Sequence, residues 1–239
     1  MIRSRRLLLS TVAAVVVAVA AGSATYLVAR QSGAAAGHQP RPSGIPASIS
    51  TNLANLMYLD PLPRLTAPDF TLTDQAGQTM SLSDLRGKVV VLEFLDPHCT
   101  DICPIVSREF LKAYHDLGPL AGKVVFAGIN VNAYHHGVSD VLAFSREQQL
   151  TTIPDWHYFT GPVPALRKAW RDYNIDVNAP NPNADVQHTS AIYIIDPQGR
   201  ERFLASPQVD HTKSGSSYLP IGEQDAWGRG IAALARTLA

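Results

Sequence analysis

Two cysteines are the whole thiol complement of the 239-residue chain, Cys99 and Cys103 in the stretch Phe94-Leu95-Asp96-Pro97-His98-Cys99-Thr100-Asp101-Ile102-Cys103-Pro104. A thiol pair this close forms a disulfide, shuttles electrons as a dithiol, or holds a thiophilic metal. Only one intramolecular pairing exists for two cysteines. Pro104 disfavours helical backbone at Cys103 yet suits a first helical turn, so Cys103 is expected at or just before a helix start. Cys99 then lies on the preceding loop. Both sulfurs stand near the positive end of the helix dipole, where a thiolate is stabilised. Across a regular helical turn Cβ atoms are roughly 5–6 Å apart, wider than the about 3.8 Å of an unstrained disulfide. Two thiolates at about 2.3 Å from one metal tolerate that separation. The spacing permits a disulfide and favours a metal clip, and bridge, shuttle and clip all stay open. A structural bridge over so short a loop would stabilise weakly.

Soft thiolates select Cu(I), and an added imidazole also suits Cu(II). The chain has eight histidines. His38 falls in a Pro/Gly-rich stretch. His98 is expected to face solvent, because consecutive loop side chains diverge, and the His135-His136 pair reads as loop for the same reason. His188 differs in context. It stands at the entrance of the apolar run Ser190–Ile195, in a sheet where ligands gather at strand ends and helix starts. Spacing alone does not rank it above the other histidines.

The elements that must position these residues alternate in type. Phe70–Thr73 and Met80–Leu82 flank Asp74-Gln75-Ala76-Gly77 as a hairpin, and Ser83–Gly87 reads as one helical turn closed by glycine. Lys88–Phe94 contains the continuous apolar run of a strand buried on both faces. A helix from about Pro104 to Leu117 follows, with Ile105, Phe110, Leu111 and Tyr114 inward. Val124–Val131 is a second buried strand, and Ser139 caps a helix through Gln148. Trp156–Phe159, Val163–Tyr173, Ser190–Ile195, Glu201–Ala205 and Glu223–Leu238 read as strand, helix, strand, strand and helix. Strands separated by helices imply an α/β fold with a mostly parallel central sheet, ended by an antiparallel hairpin.

Lys+Arg and Asp+Glu both number 20, so nothing suggests a nucleic-acid partner. Residues 1–30 read as a signal-anchor. Arg3, Arg5 and Arg6 precede an uncharged apolar run, Leu7 to Ala29, long enough for the roughly 20 residues that span a bilayer. The arginines place the N-terminus inside and the domain outside. Ala18-Val19-Ala20 offers a cleavage pattern, but apolar residues continue past it, which suits an anchor better. Residues 31–62 then form a Pro/Gly/Ala-rich tether, and residues 63–239 the exported domain.

Ala67-Pro68-Asp69-Phe70-Thr71-Leu72, Gln75-Ala76-Gly77-Gln78 and Leu85-Arg86-Gly87-Lys88-Val89-Val90 resemble the opening of thioredoxin-like proteins. The C-x3-C-Pro element, with the distant His188-Thr189-Ser190-Ala191-Ile192-Tyr193-Ile194-Ile195-Asp196-Pro197-Gln198-Gly199, narrows the resemblance to the Sco/SenC family, over roughly Pro63 to Ala239. That family is membrane-anchored, binds copper and serves assembly of the dinuclear copper centre of cytochrome c oxidase. The resemblance implies a thioredoxin-like sheet with flanking helices and copper, Cu(I) or Cu(II), held by Cys99, Cys103 and His188. It implies a single-pass membrane protein whose domain is extracytoplasmic. The expected partner is the copper-centre subunit of a respiratory oxidase, or another exported copper or thiol protein. A metallochaperone role is expected ahead of an enzymatic one. The alternative is a copper-independent thiol:disulfide oxidoreductase cycling Cys99 and Cys103; a peroxidase is a weaker reading of Thr100 ahead of Cys103. The family usually has Tyr-Thr-His where Asp96-Pro97-His98 stand, proline at Thr100 and an acidic residue at Gln187. Asp185 is a candidate to orient the His188 ring.

Overall fold

A computed structural model describes residues 43–239. The expected anchor at 1–30 lies outside the described residues. Among the described residues, no helix is long and apolar enough to cross a membrane.

The centre is a six-stranded sheet in the order β1-β10-β9-β4-β5-β6, built from β1 (Asp60–Pro61), β4 (Val89–Leu95), β5 (Val124–Asn130), β6 (Trp156–Phe159), β9 (Ile192–Ile195) and β10 (Glu201–Ala205). Strands β4, β5 and β6 run parallel. On the other side of β4, β9 is antiparallel, and β10 and β1 continue antiparallel to the edge. The sequence expectation of an α/β sheet ended by an antiparallel hairpin is met, but the sheet is not mostly parallel: two of its five pairings are parallel and three antiparallel, because β9 returns antiparallel to β4.

All seven residues of β4 and of β5 are buried, as their unbroken apolar runs require when both sheet faces are covered. Side chains alternate between two cores. Val89, Val91 and Leu95 join one core with residues of α1 (Thr51–Leu56), α2 (Ile102–Leu117), α3 (Val138–Glu147) and α5 (Ile221–Arg236). Val90, Leu92 and Phe94 join the other with α4 (Val163–Asp172) and the hairpin β2–β3 (Thr71–Thr73, Thr79–Ser81). By this period-two alternation Glu93 falls on the α2 side.

Helix α2 buries Val106, Phe110, Ala113 and Leu117 along one stripe, while Leu111 and Tyr114, expected inward, are half-buried. It packs on α5 at close range. A Cβ on Gly228 of α5 would stand 2.5 Å from Lys112 Cγ and 3.2 Å from the Glu109 carbonyl oxygen.

The expected tether, residues 31–62, overlaps folded chain, its first part lying outside the described residues. From residue 43 the chain is folded: Ser50 caps α1 by accepting from the Leu53 N–H at 3.2 Å, and Ile49 and Met57 are fully buried in the α2–α5 core. Ile45, Ile49, Ala54, Met57 and Leu59 are buried in that core and pin a segment that otherwise reads as linker. A short hairpin, β11 (Asp210–His211) with β12 (Ser217–Tyr218), is a second element without a periodic signature in the sequence.

Candidate metal centre

The loop from β4 to α2 is shaped by the residues preceding Cys99. Asp96-Pro97-His98-Cys99 forms a turn closed by Cys99 N–H donating to the Asp96 carbonyl at 3.1 Å. Asp at the first and Pro at the second position favour such a turn. The Asp96 carboxylate, almost fully buried, accepts from the His98 N–H and from Asn132 Nδ2, both at 2.9 Å. The turn thereby fixes Cys99 at the carboxyl end of β4, where parallel sheets open their crevices.

Helix α2 begins at Ile102, so Cys103 is its second residue and lies inside the first turn. The Asp101 N-cap makes no side-chain capping bond. Instead the Cys99 sulfur accepts from the backbone N–H groups of Asp101 and Cys103, each at 3.4 Å. A sulfur thus does the work of a cap, satisfying donors that a helix start leaves orphaned. Both cysteines are free thiols, Cys99 partly exposed and Cys103 buried.

The two thiols are unequal. Cys99 is brought down from 9.0 to about 7, first by a hydrogen bond from the Cys103 thiol, with the two backbone N–H groups adding to it against burial and the Asp96 charge. Cys103 is pushed up, because it donates that bond and because it is buried. Near neutrality the pair is half-populated as one thiolate holding one shared proton.

Two buried carboxyls neighbour each other, Glu93 of β4, which also acts on Cys103, and Glu109 of α2, each with one oxygen lacking a hydrogen-bond partner. Burial, then the neighbouring Glu109, drives Glu93 far above the usual carboxylate range; burial lifts Glu109 to about 8. Both are uncharged acids over much of the working range.

Topology brings His188 to the cleft that Cys99 lines. Strand β9 is antiparallel to β4, with Tyr193 opposite Leu92, so its start lies beside the end of β4. Just before it, β7 (Val177–Asn178) and β8 (Gln187–His188) pair, Val177 opposite His188. His188 and Cys99 line one cleft of about 640 Å3, with Asp96 at one wall and Gly215 and Ser217 of the β11–β12 hairpin at another. The His188 Nδ1 lies 3.0 Å from the Thr189 carbonyl, which only accepts, so Nδ1 carries the proton and Nε2 keeps its lone pair. Burial lowers the His188 pKa, favouring the neutral, ligating form. Asp185, expected to orient this ring, lines the cleft while Thr189 takes the Nδ1 bond. A cleft lined by Cys99 and a neutral His188 imidazole, with the Cys103 thiol buried against Cys99, offers the donor types of a thiophilic metal with mixed S/N preference. The hairpin wall was not foreseen from sequence.

A family model described as SCO1/SenC matches residues 61–214. The mouse (Mus musculus) protein SCO2 homolog, mitochondrial, is 32% identical over 141 residues, covering 55% of this chain and 52% of its own length. The chain therefore spans about half of that relative. Among solved structures, apo Sco1 from Thermus thermophilus superposes with a TM-score of 0.59 at 22% identity, over 77% of this chain and 97% of that one. Arabidopsis thaliana ScoI with copper bound superposes with a TM-score of 0.56 at 21% identity, over 72% and 99%. At these identities the two structures speak to the fold, which is thioredoxin-like.

Proposed function

The chain belongs to the SCO1/SenC family, and we propose that it binds copper through the sulfurs of Cys99 and Cys103 and Nε2 of His188. From a membrane tether on the extracytoplasmic side, it delivers that copper to the copper centre of a respiratory oxidase, or reduces the cysteines that receive it. One observation carries the reading: Cys99, hydrogen-bonded to the buried Cys103 thiol, and His188, with its unprotonated nitrogen free, border the same cleft. The copper held by the Arabidopsis neighbour and the family match support it.

The residues divide the work. Cys99, half-exposed and a thiolate near neutral pH, meets the incoming ion or target first. Cys103 supplies the second sulfur from the protein interior once its proton leaves. His188 adds a harder nitrogen donor that matters most for Cu(II). Asp96 puts a negative charge beside both Cys99 and His188, which attracts a cation to the cleft.

The inequality of the thiols favours the reducing role alongside. In that role the Cys99 thiolate attacks a disulfide of the target, forming a mixed disulfide and releasing one target thiolate. Cys103 loses its proton and attacks Cys99 Sγ, the second target thiol departs, and two electrons have passed from the pair to the target.

The test is copper stoichiometry of the reduced protein and of its His188→Ala variant, under competition with a chelator of moderate affinity. One copper per chain is expected in the parent. The variant should retain Cu(I) and lose Cu(II) affinity by tenfold or more. A reduced protein stripped of copper by the competitor would leave the copper-independent oxidoreductase as the surviving reading.

A further inference from the structure

Cys99 also borders a second cavity, of about 520 Å3, whose walls include His98 and Asp140. There the structure brings together three side chains that the thiol chemistry does not use. His98, His135 and Asp140 each offer a ligand atom, and the three atoms lie within 4.8 Å of one another. Neither histidine stands apart as the sequence suggests: their rings stack with centroids 3.8 Å apart and planes 20° apart, and joint ligation of one ion requires the half-exposed His98 ring to turn out of that stack.

The cluster is held from behind. Asp96 accepts from the His98 backbone N–H and from Asn132 Nδ2, while Asn132 Oδ1 accepts from the backbone N–H groups of Tyr134 and His135. Asn130, fully buried, adds its Nδ2 bond to the His135 carbonyl. One buried polar network therefore sets the backbone of both histidines. The far ends are fixed as well. His135 Nε2 donates to the Pro182 carbonyl at 3.2 Å, and Asp140 Oδ2 accepts from the Gly137 N–H at 2.9 Å at the start of α3. That leaves the second carboxylate oxygen directed at His98 Nε2, 3.7 Å away.

A separation of 3.7 Å is too long for a hydrogen bond. It is close to the roughly 3.3 Å between two ligands of a tetrahedral ion with bonds of about 2.0–2.1 Å. Anchoring a ligating histidine through its other nitrogen on a backbone carbonyl, and a ligating carboxylate through its other oxygen, is how metal ligands are commonly oriented. We infer that His98, His135 and Asp140 form a second metal site, for a divalent transition ion of the Cu(II) or Zn(II) class. Two imidazoles and a carboxylate, with no sulfur, suit those ions and disfavour Cu(I); of the two, Cu(II) binds such a set more tightly. The site adjoins the thiols in sequence and shares a cavity with Cys99, so it stations a divalent ion beside the softer sulfur site. It does not depend on the copper reading of Cys99, Cys103 and His188.

The test uses the full chain carrying Cys99→Ser, Cys103→Ser and His188→Ala, so that the first site is removed. Copper(II) sulfate, and zinc sulfate in parallel, are titrated against a chelating competitor, and the copper form is examined by electron paramagnetic resonance. One Cu(II) per chain is expected, with hyperfine splitting from two nitrogens. Adding His135→Ala, or Asp140→Asn, should weaken binding at least tenfold and remove that signature. His98→Ala, at a half-exposed side chain, serves as the variant least able to disturb folding, and circular dichroism checks each protein. Absence of Cu(II) binding by a folded triple variant overturns the inference. So does binding that His98→Ala and Asp140→Asn leave unchanged, which would belong to other histidines or the N-terminus.

Discussion

Replacing Cys103 with alanine removes the largest single influence on Cys99. The hydrogen bond from the Cys103 thiol leads the effects that bring Cys99 from 9.0 to about 7, a difference worth about 2.7 kcal/mol. The two backbone N–H groups remain in the variant, but burial and the Asp96 charge oppose them. With the leading bond gone, the Cys99 pKa rises back toward 9.0, and full recovery sets the upper bound of the effect. At pH 7 its thiolate fraction then falls from about one half to about one in a hundred. A thiolate of higher pKa is the better nucleophile, and a Brønsted slope of about 0.4–0.5 recovers roughly eightfold over two units. The net expectation is an iodoacetamide alkylation rate about sixfold lower at pH 7, and a pH–rate midpoint moved from near 7 to near 9. Because Cys103 is almost fully buried, the parent rate reports Cys99 alone. A midpoint still near 7 in the Cys103→Ala protein would refute this account and hand the effect to the helix start.

Three further outcomes follow from the same geometry. Copper(I) affinity should rise about a hundredfold per pH unit below 7, where binding displaces two protons, and about tenfold per unit above it, where Cys99 is already ionised; a constant slope through pH 7, measured by competition, contradicts the thiolate assignment. Glu109 titrates at about 8 folded against 4.5 ordinarily, so its contribution of about 5 kcal/mol is fully present below pH 4.5 and is lost as pH rises to about 8. Glu109→Gln should reduce the slope of unfolding free energy against pH near 6 by about 1.4 kcal/mol per unit, read by urea unfolding at several pH values, and an unchanged slope would mean the carboxyl is ionised in the fold. Gly228→Ala should destabilise by about 1–3 kcal/mol, because the new Cβ meets Lys112 and the α2 backbone; a raised melting temperature, the usual result of Gly→Ala within a helix, would show that α2 and α5 have room to part.

Much of the sheet was legible because its central strands are apolar without interruption. Val89–Leu92 and Val124–Ile129 admit no other placement than between two covered faces. Helix α2 was legible from Pro104 and its apolar stripe. What escaped were features made by few residues or by tertiary contact. Helix α1 has six residues, too short for a helical period to emerge. Strands β1, β8, β11 and β12 have two residues each and exist only through their partners. The approach of His98 to His135 depends on Asn132 bridging two loops, with Asp96 36 positions earlier in the chain. No local spacing encodes that meeting, and neighbouring side chains in a loop diverge unless something behind them, here a buried carboxylate, sets the turn.

The charge balance around the thiols connects the fold to its proposed cargo. Near neutral pH the ionised pair carries one negative charge, shared between the Cys99 thiolate and the proton held by Cys103. Exchanging that proton for a monovalent cation leaves the buried charge unchanged, so the exchange adds no new cost of placing net charge in a poorly polarisable interior. A divalent cation in the same exchange brings the pair to zero net charge, so burial sets no electrostatic penalty against it, and Glu93 and Glu109, held uncharged by burial, add no negative charge for either ion. The choice between the ions therefore falls to ligand type: two sulfurs suit Cu(I), and the His188 nitrogen at the cleft decides how well Cu(II) is held.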